Sequence, residues 1–234
     1  MTTLRFDGIT KRYGVRTVVD DVSLSVGSAG IVALAGVNGS GKSTLYRIAA
    51  GFVRQEAGRV FIERASGTLD LSALAPSERV NRGLRYVPQD RRVLCDLSTV
   101  ENLRLAANDC DDVFEVVAEL RLGGLLQKRP NQMTAAERGL LLLTIVCAAR
   151  PAFVIVDEPF AGLDRLQRWH CIAILRHLSE SGMGVLLTDH DGRALLDVAT
   201  TVHIIEQGRI VYSDDARATA LSPVAKRLYF RAHG

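Results

Sequence analysis
The chain has 234 residues, 47% of them hydrophobic and 24% charged. That suits one large domain or two small ones around a sizeable core, and excludes a disordered chain. The net charge of +3 comes from Lys and Arg scattered along the chain, so nothing in the balance supports nucleic-acid binding.

The first thirty residues alternate in polarity, LRFDGIT and then VVDDVSLSV, which predicts antiparallel strands. IVALAG is a short apolar strand ending in glycine, and KSTLYRIAAG is a helix stopped by Gly51. GRVFIE predicts a further strand. From about Pro76 to Arg150 the pattern is helical, through TVENLRLAA, VFEVVAELRL and AAERGLLLLTIVCAA. Then follow FVIVDE as a buried strand, RLQRWHCIAILRHLSES as an amphipathic helix, GVLLTDH as a strand and ALLDVA as a helix. TVHIIEQGRIVYS closes the series as a hairpin around Gly208. Strands alternating with helices predict an α/β fold with a mainly parallel sheet. To it are added an N-terminal antiparallel β region and an inserted helical subdomain. The expected division of the single domain 1–234 is a core of 1–88 and 151–234, with the subdomain at 89–150.

The four cysteines, Cys95, Cys110, Cys147 and Cys171, form no CxxC pair and no metal spacing, so reduced thiols in a cytosolic chain are expected. MTTLRFDG lacks the pattern of a signal peptide. The longest largely apolar run, Leu140 to Ala149, falls short of the roughly 20 residues that cross a bilayer. No direct membrane insertion is expected, and any role at a membrane would go through partners.

GVNGSGKST fits the phosphate-loop pattern G-x-x-x-x-G-K-[ST], in the required place between an apolar strand and a helix. It comprises Gly36, Val37, Asn38, Gly39, Ser40, Gly41, Lys42, Ser43 and Thr44. Its glycines let the backbone curl so that successive N–H groups face phosphates, and the helix aims its positive end at them. Lys42 is expected at the β- and γ-phosphates and Ser43 on Mg²⁺. FVIVDE supplies the matching acids. Asp157 would hold Mg²⁺ through water, and Glu158 would polarise an attacking water as general base. A buried strand ending in two acids is by itself about as often structural; the phosphate loop gives this one chemical meaning. No N-K-x-D guanine reader is present, which argues against a GTPase.

Several separate features resemble the ATP-binding cassette (ABC) family over nearly the whole chain. KRYG places Tyr13 where that family stacks an aromatic ring on adenine. YVPQD places Gln89 at its glutamine loop, which senses Mg²⁺ and the transporter. FAGLD, with Asp164, is similar to the loop that crosses the family's dimer interface. LLTDH places His190 at its switch histidine, which contacts the γ-phosphate. Within the family, DEPFAGLD, GVLLTDH and VAKRLYF are most similar to lipopolysaccharide-export ATPases. YVPQDRRVL and LSTVENL also resemble branched-chain amino-acid transporter ATPases.

The segment MTAAER stands, without gaps, where the family carries its signature LSGGQ or LSGGE, which caps ATP on the other subunit of the dimer. Thr134 keeps the hydroxyl, Ala135 and Ala136 replace the two glycines, and Glu137 is kept. Thr134 and Glu137 form an S/T-x-x-E capping box, so the helix start should survive. Each alanine adds a Cβ and makes positive φ costly. An ordinary capped helix is the bland alternative. The next helix has Ile145 in place of an arginine. Its apolar character implies burial on all sides within the fold, or else one face against another chain.

The resemblance implies an ATP- and Mg²⁺-dependent ATPase subunit at the cytoplasmic face of a membrane. It would pair with a second ABC ATPase, a heterodimer being favoured over a homodimer, and would drive transmembrane subunits that choose the cargo. The alternatives are a binding switch that scarcely hydrolyses ATP, and a soluble ABC protein of DNA repair or translation. The latter usually carries tandem domains, zinc modules or long coiled coils, none of which the sequence shows.

Overall fold
The computed structural model describes residues 2–90, 92–107 and 112–230. Strands β1 (Thr3–Tyr13) and β2 (Arg16–Gly27) form the alternating N-terminal hairpin. With β4 (Ala57–Arg64) and β5 (Gly67–Asp70) they make an antiparallel sheet in the order β2-β1-β4-β5. The second sheet contains β3 (Ile31–Ala35), β6 (Leu84–Val87), β7 (Phe153–Asp157), β8 (Gly184–Thr188), β9 (Thr201–Glu206) and β10 (Arg209–Asp215). Its order is β10-β9-β3-β8-β7-β6, parallel except for the β9–β10 hairpin. That hairpin turns through Gln207 and Gly208, both at positive φ, as a two-residue turn matched to strand twist requires.

β3, β7 and β8 are buried along their whole length, which is why they read as continuous apolar runs. Their alternate residues nevertheless serve two different cores. Ala33, Val154, Val156, Val185 and Leu187 join the cluster built with the helices after β6. Val32, Leu34, Phe153, Ile155 and Leu186 join the cluster shared with the antiparallel sheet and α1 (Lys42–Ala49).

The expectation of helix throughout 76–150 needs one correction. Only α2 (Pro76–Asn81) lies ahead of β6, and β6 extends the parallel sheet beside β7. LRYV is four residues between a short helix and Pro88, too brief for period-two patterning to register. Between β6 and β7 come α3 (Thr99–Ala106), α4 (Asp112–Glu119), α5 (Gly123–Leu126) and α6 (Ala135–Ala149). Downstream are α7 (Arg165–Glu180), α8 (Gly192–Val198), α9 (Ala216–Leu221), α10 (Pro223–Ala225) and a π-helical turn, Lys226–Phe230. Cys147 and Cys171 are buried and Cys95 is exposed; Cys110 lies outside the described residues. Among the described residues, no helix is long and apolar enough to cross a membrane.

One buried cation anchors the helix that follows the phosphate loop. Arg79 is 2% exposed and donates to the carbonyls of Ile48 and Ala49, each at 2.6 Å, and of Leu74 and Ser72. It thereby caps the C-terminal end of α1, where the helix dipole favours a positive charge. Arg79→Met would keep the stem and strip these carbonyls of their partner. The expected loss is about 3 kcal/mol, or roughly 6–12 °C in Tm. An unchanged melting curve would show that the guanidinium contributes nothing to the fold.

Candidate functional site
The parallel strands deliver their C-terminal ends to one edge of the sheet, the edge where open α/β sheets bind ligands. β3 runs into the loop Gly36–Gly41, and α1 starts at Lys42. A Cβ at Gly36 would sit 2.4 Å from the Ile205 carbonyl, and one at Gly41, with φ +112°, 2.5 Å from that of Val18. Only glycine fits either position. Lys42 folds over the loop, donating to the Gly36 carbonyl at 2.6 Å and the Val37 carbonyl at 3.0 Å. Burial lowers its pKa, and the carboxylates of Glu158 and Asp157 oppose that shift. The Ser40 hydroxyl is buried with no hydrogen-bond partner among the described residues. Val37, Asn38, Gly39 and Ser40 line a 350 Å³ cleft with Arg16 and Gln207.

β7 places Asp157 in the interior, where burial pushes its carboxyl up while a hydrogen bond from the Tyr86 phenol at 3.1 Å pulls it down. A half-desolvated carboxylate facing Lys42 fits a cation that would complete its compensation. The next residue, Glu158, has φ +51°, an uncommon conformation for a non-glycine residue and one that turns the chain off the strand end. Its backbone N–H donates to the Thr188 carbonyl at 2.8 Å. Its two carboxylate oxygens are bracketed: Gln89 Nε2 lies 2.5 Å from Oε2, and His190 Nδ1 lies 3.3 Å from Oε1. Gln89, Glu158 and His190, named from three separate stretches of sequence, thus meet around one carboxylate. Ser43 and Thr44 occupy the first turn of α1, with Ser43 exposed.

The remaining residues singled out in the sequence stand apart from this cluster. Tyr13 ends β1 opposite Arg16, is 51% exposed and has the Lys11 ammonium 5.3 Å from its ring centre. Asp164 caps α7, accepting from the Gln167 N–H at 2.8 Å. Thr134 caps α6: it accepts from the Glu137 N–H at 3.2 Å and donates its own N–H to Glu137 at 2.9 Å. Glu137 also pairs with Lys128, which holds its carboxyl below the usual range. The conformational penalty expected of the alanines is not there. Ala135 and Ala136 are the first two helical residues, and neither is at positive φ. Ala136 is 8% exposed, so only Ala135 offers an added methyl to the outside. Alanine suits a helix better than glycine.

The expectation that the following helix is buried within the fold holds for most of its surface. Leu142 and Ile145 are the large apolar residues that depart from it, being only partly covered. They line a 350 Å³ groove with Arg85, Val93, Leu94 and Leu105.

The sequence profile of the ABC transporter family matches residues 19–161. The chain belongs to the ABC transporter family. It is 33% identical over 238 residues to the Escherichia coli K12 lipopolysaccharide export system ATP-binding protein LptB, covering 98% of this chain and 97% of the relative. A probable ABC transporter ATP-binding protein of Azorhizobium caulinodans is 31% identical, over 95% of this chain and 80% of the relative. Among solved structures, a nucleotide-free ATP-binding cassette from an ABC transporter superposes with a TM-score of 0.83 over 98% of this chain and 99% of that one, at 22% identity. A dimeric post-hydrolysis cassette bound to ADP and Pi superposes with a TM-score of 0.76 over 92% and 99%, at 19% identity. The chain is therefore an ATP-binding subunit of the ABC transporter class, an ATPase with the cassette fold.

Sequence reasoning missed two residues that steady this candidate site. Tyr86 and Asp189 stand inside the stretches YVPQD and LLTDH, but their partners are 71 and 29 residues away. Proximity to Gln89 and His190 was the only sequence signal for them.

Proposed function
We propose that this chain energises a transporter by binding ATP between two cassettes and hydrolysing it at the edge formed by β3, β7 and β8. The observation that carries this is the bracketing of Glu158 by Gln89 and His190 beside a glycine-built phosphate loop. In this reading the loop N–H groups and Lys42 hold the triphosphate, and Tyr13 lies against the adenine. Glu158 takes a proton from the attacking water, and His190 faces the γ-phosphate. Ser43, Asp157 (through water) and Gln89 would hold Mg²⁺, which would supply positive charge to offset that of the phosphates. Thr134, Ala135, Ala136 and Glu137 face the nucleotide of the partner cassette, and Asp164 lies at the cassette interface.

Transmembrane subunits bear on the groove of Leu94, Leu105, Leu142 and Ile145, which sits next to the Gln89 segment and so links membrane to base. An apolar helix carrying an acid would meet its Arg85 and Arg92 rim. The chain then works at the cytoplasmic face of the membrane. A substrate can be assigned to the relative named for lipopolysaccharide export; here the cargo belongs to the membrane subunits.

The altered signature favours a heterodimer. Each ATP needs one chain's phosphate loop and acids and the other chain's signature. This chain retains the first set and weakens the second, through the Ala135 methyl and through Glu137 held by Lys128. The same observation favours a second reading, a switch that closes on ATP and turns over little. ATPase assays on the chain alone, with a partner ATPase bearing LSGGQ, and after Ala135→Gly with Ala136→Gly separate these readings. The heterodimer predicts weak activity alone and a rise of at least about fivefold, about 1 kcal/mol of barrier, in both other cases. Brisk turnover by the unaltered chain, indifferent to the glycines, would show that MTAAER is a working signature. No gain with partner or glycines would leave the switch.

A further inference from the structure
We propose that Tyr229, in the π-helical turn after α10, is a positioning residue that latches the His190 loop to the rest of the ATPase centre; this rests on the hydrolytic reading above. Thr188 ends β8 with its hydroxyl bonded to the Leu34 carbonyl at 2.7 Å, at the root of the phosphate loop. Asp189 follows at 1% exposure, and its carboxylate joins two segments. One oxygen accepts the Phe160 N–H at 2.8 Å, just beyond Glu158. The other accepts the Asp191 N–H at 2.9 Å, just beyond His190. The proposed base and the switch histidine are thus carried by two loops that share one buried carboxylate.

What holds that junction from outside is the tail of the chain. The Tyr229 phenol is buried and donates to the Asp189 carbonyl at 2.8 Å. Its ring lies in the cluster that contains Leu187, Ala194, Leu195 and Ala225, so ring and hydroxyl are fixed from different sides. Burial and the nearby carboxylates of Asp189, Asp191 and Glu158 all push the phenol's pKa up. It therefore remains a donor throughout the working pH range. On the other flank Arg168 of α7 pairs with Asp191 at 2.5 Å. His190 itself is exposed and its ring pairs with Glu158 at the rim of the site, so its placement depends on the backbone on which it is mounted. A tyrosine used only to anchor the tail would need a buried carbonyl, and nothing would require that carbonyl to belong to the residue before His190.

Tyr229→Phe in the full chain removes one oxygen and keeps the ring. In the nucleotide-free protein, amide exchange at Phe160 and Asp191 is expected to speed up about 5- to 10-fold, the worth of one neutral hydrogen bond, with the centres of β7 and α7 unchanged. With a partner cassette completing the site, kcat should fall by a similar factor at unchanged KM for ATP, because the phosphate loop is untouched. Wild-type exchange at those two amides, or a local increase with kcat unchanged, would overturn the latch. So would a fall in activity that tracks exchange raised throughout the domain. A wild-type pair that splits no ATP would sink the hydrolytic reading instead, and the exchange measurement would still show whether the loop is held by Tyr229.

Discussion
Glu158→Gln is expected to bind ATP as the unaltered chain does and to split it at least about 100-fold more slowly, the usual worth of a positioned general base. The amide keeps the size of the side chain. The φ of +51° at this position is neither easier nor harder for glutamine, so the turn off β7 should persist. Proton acceptance is what disappears. One of the two contacts, to Gln89 Nε2 or to His190 Nδ1, would also face an NH₂ in place of an oxygen. With bound ATP no longer consumed, the closed pair of cassettes should accumulate as an ATP-dependent dimer on size exclusion, absent with ADP. Turnover at the unaltered rate would remove Glu158 from the chemistry, whatever the dimer does.

Lys42→Ala should abolish useful ATP binding. A charge-assisted contact to phosphate contributes about 1.5–3 kcal/mol, so affinity should drop by roughly 10- to 150-fold, and by more if desolvation strengthens the contact. The substitution also removes the bonds that brace the loop through the Gly36 and Val37 carbonyls. Fold stability should move little, because burial already disfavours the ammonium and its removal relieves that cost. Isothermal titration with Mg-ATP checks this. Unchanged affinity in a folded variant would defeat the phosphate-loop assignment.

The elements legible in the sequence are those whose signal is local. The alternation of β1 and β2, the apolar runs of β3, β7 and β8, the turn at Gly208 and the capping box of Thr134 and Glu137 each lie within a dozen residues. Gln89, Glu158 and His190 could be named from their motifs, but their convergence required the parallel order of β8, β7 and β6. The residues that steady the site had no local mark. Arg79 reaches across 31 residues to Ile48, Tyr86 across 71 to Asp157, and Tyr229 across 40 to Asp189. β6 was hidden by brevity. The alanines of MTAAER were misjudged because signature glycines suggest positive φ, whereas these positions open an ordinary helix.

The grip of Lys42 on its own loop has a consequence for how a ligand is received. An ammonium has three N–H donors, and two are engaged by the Gly36 and Val37 carbonyls. A phosphate arriving at the third asks the lysine to release nothing. The entropy of ordering that side chain is spent when the protein folds rather than when the nucleotide docks, so more of the contact energy remains as affinity. Arginine, with its flat fork, could not clasp the loop and reach outward in the same way. The lysine is both keystone and hand: the group that shapes the empty cradle is the one that takes hold of what enters it.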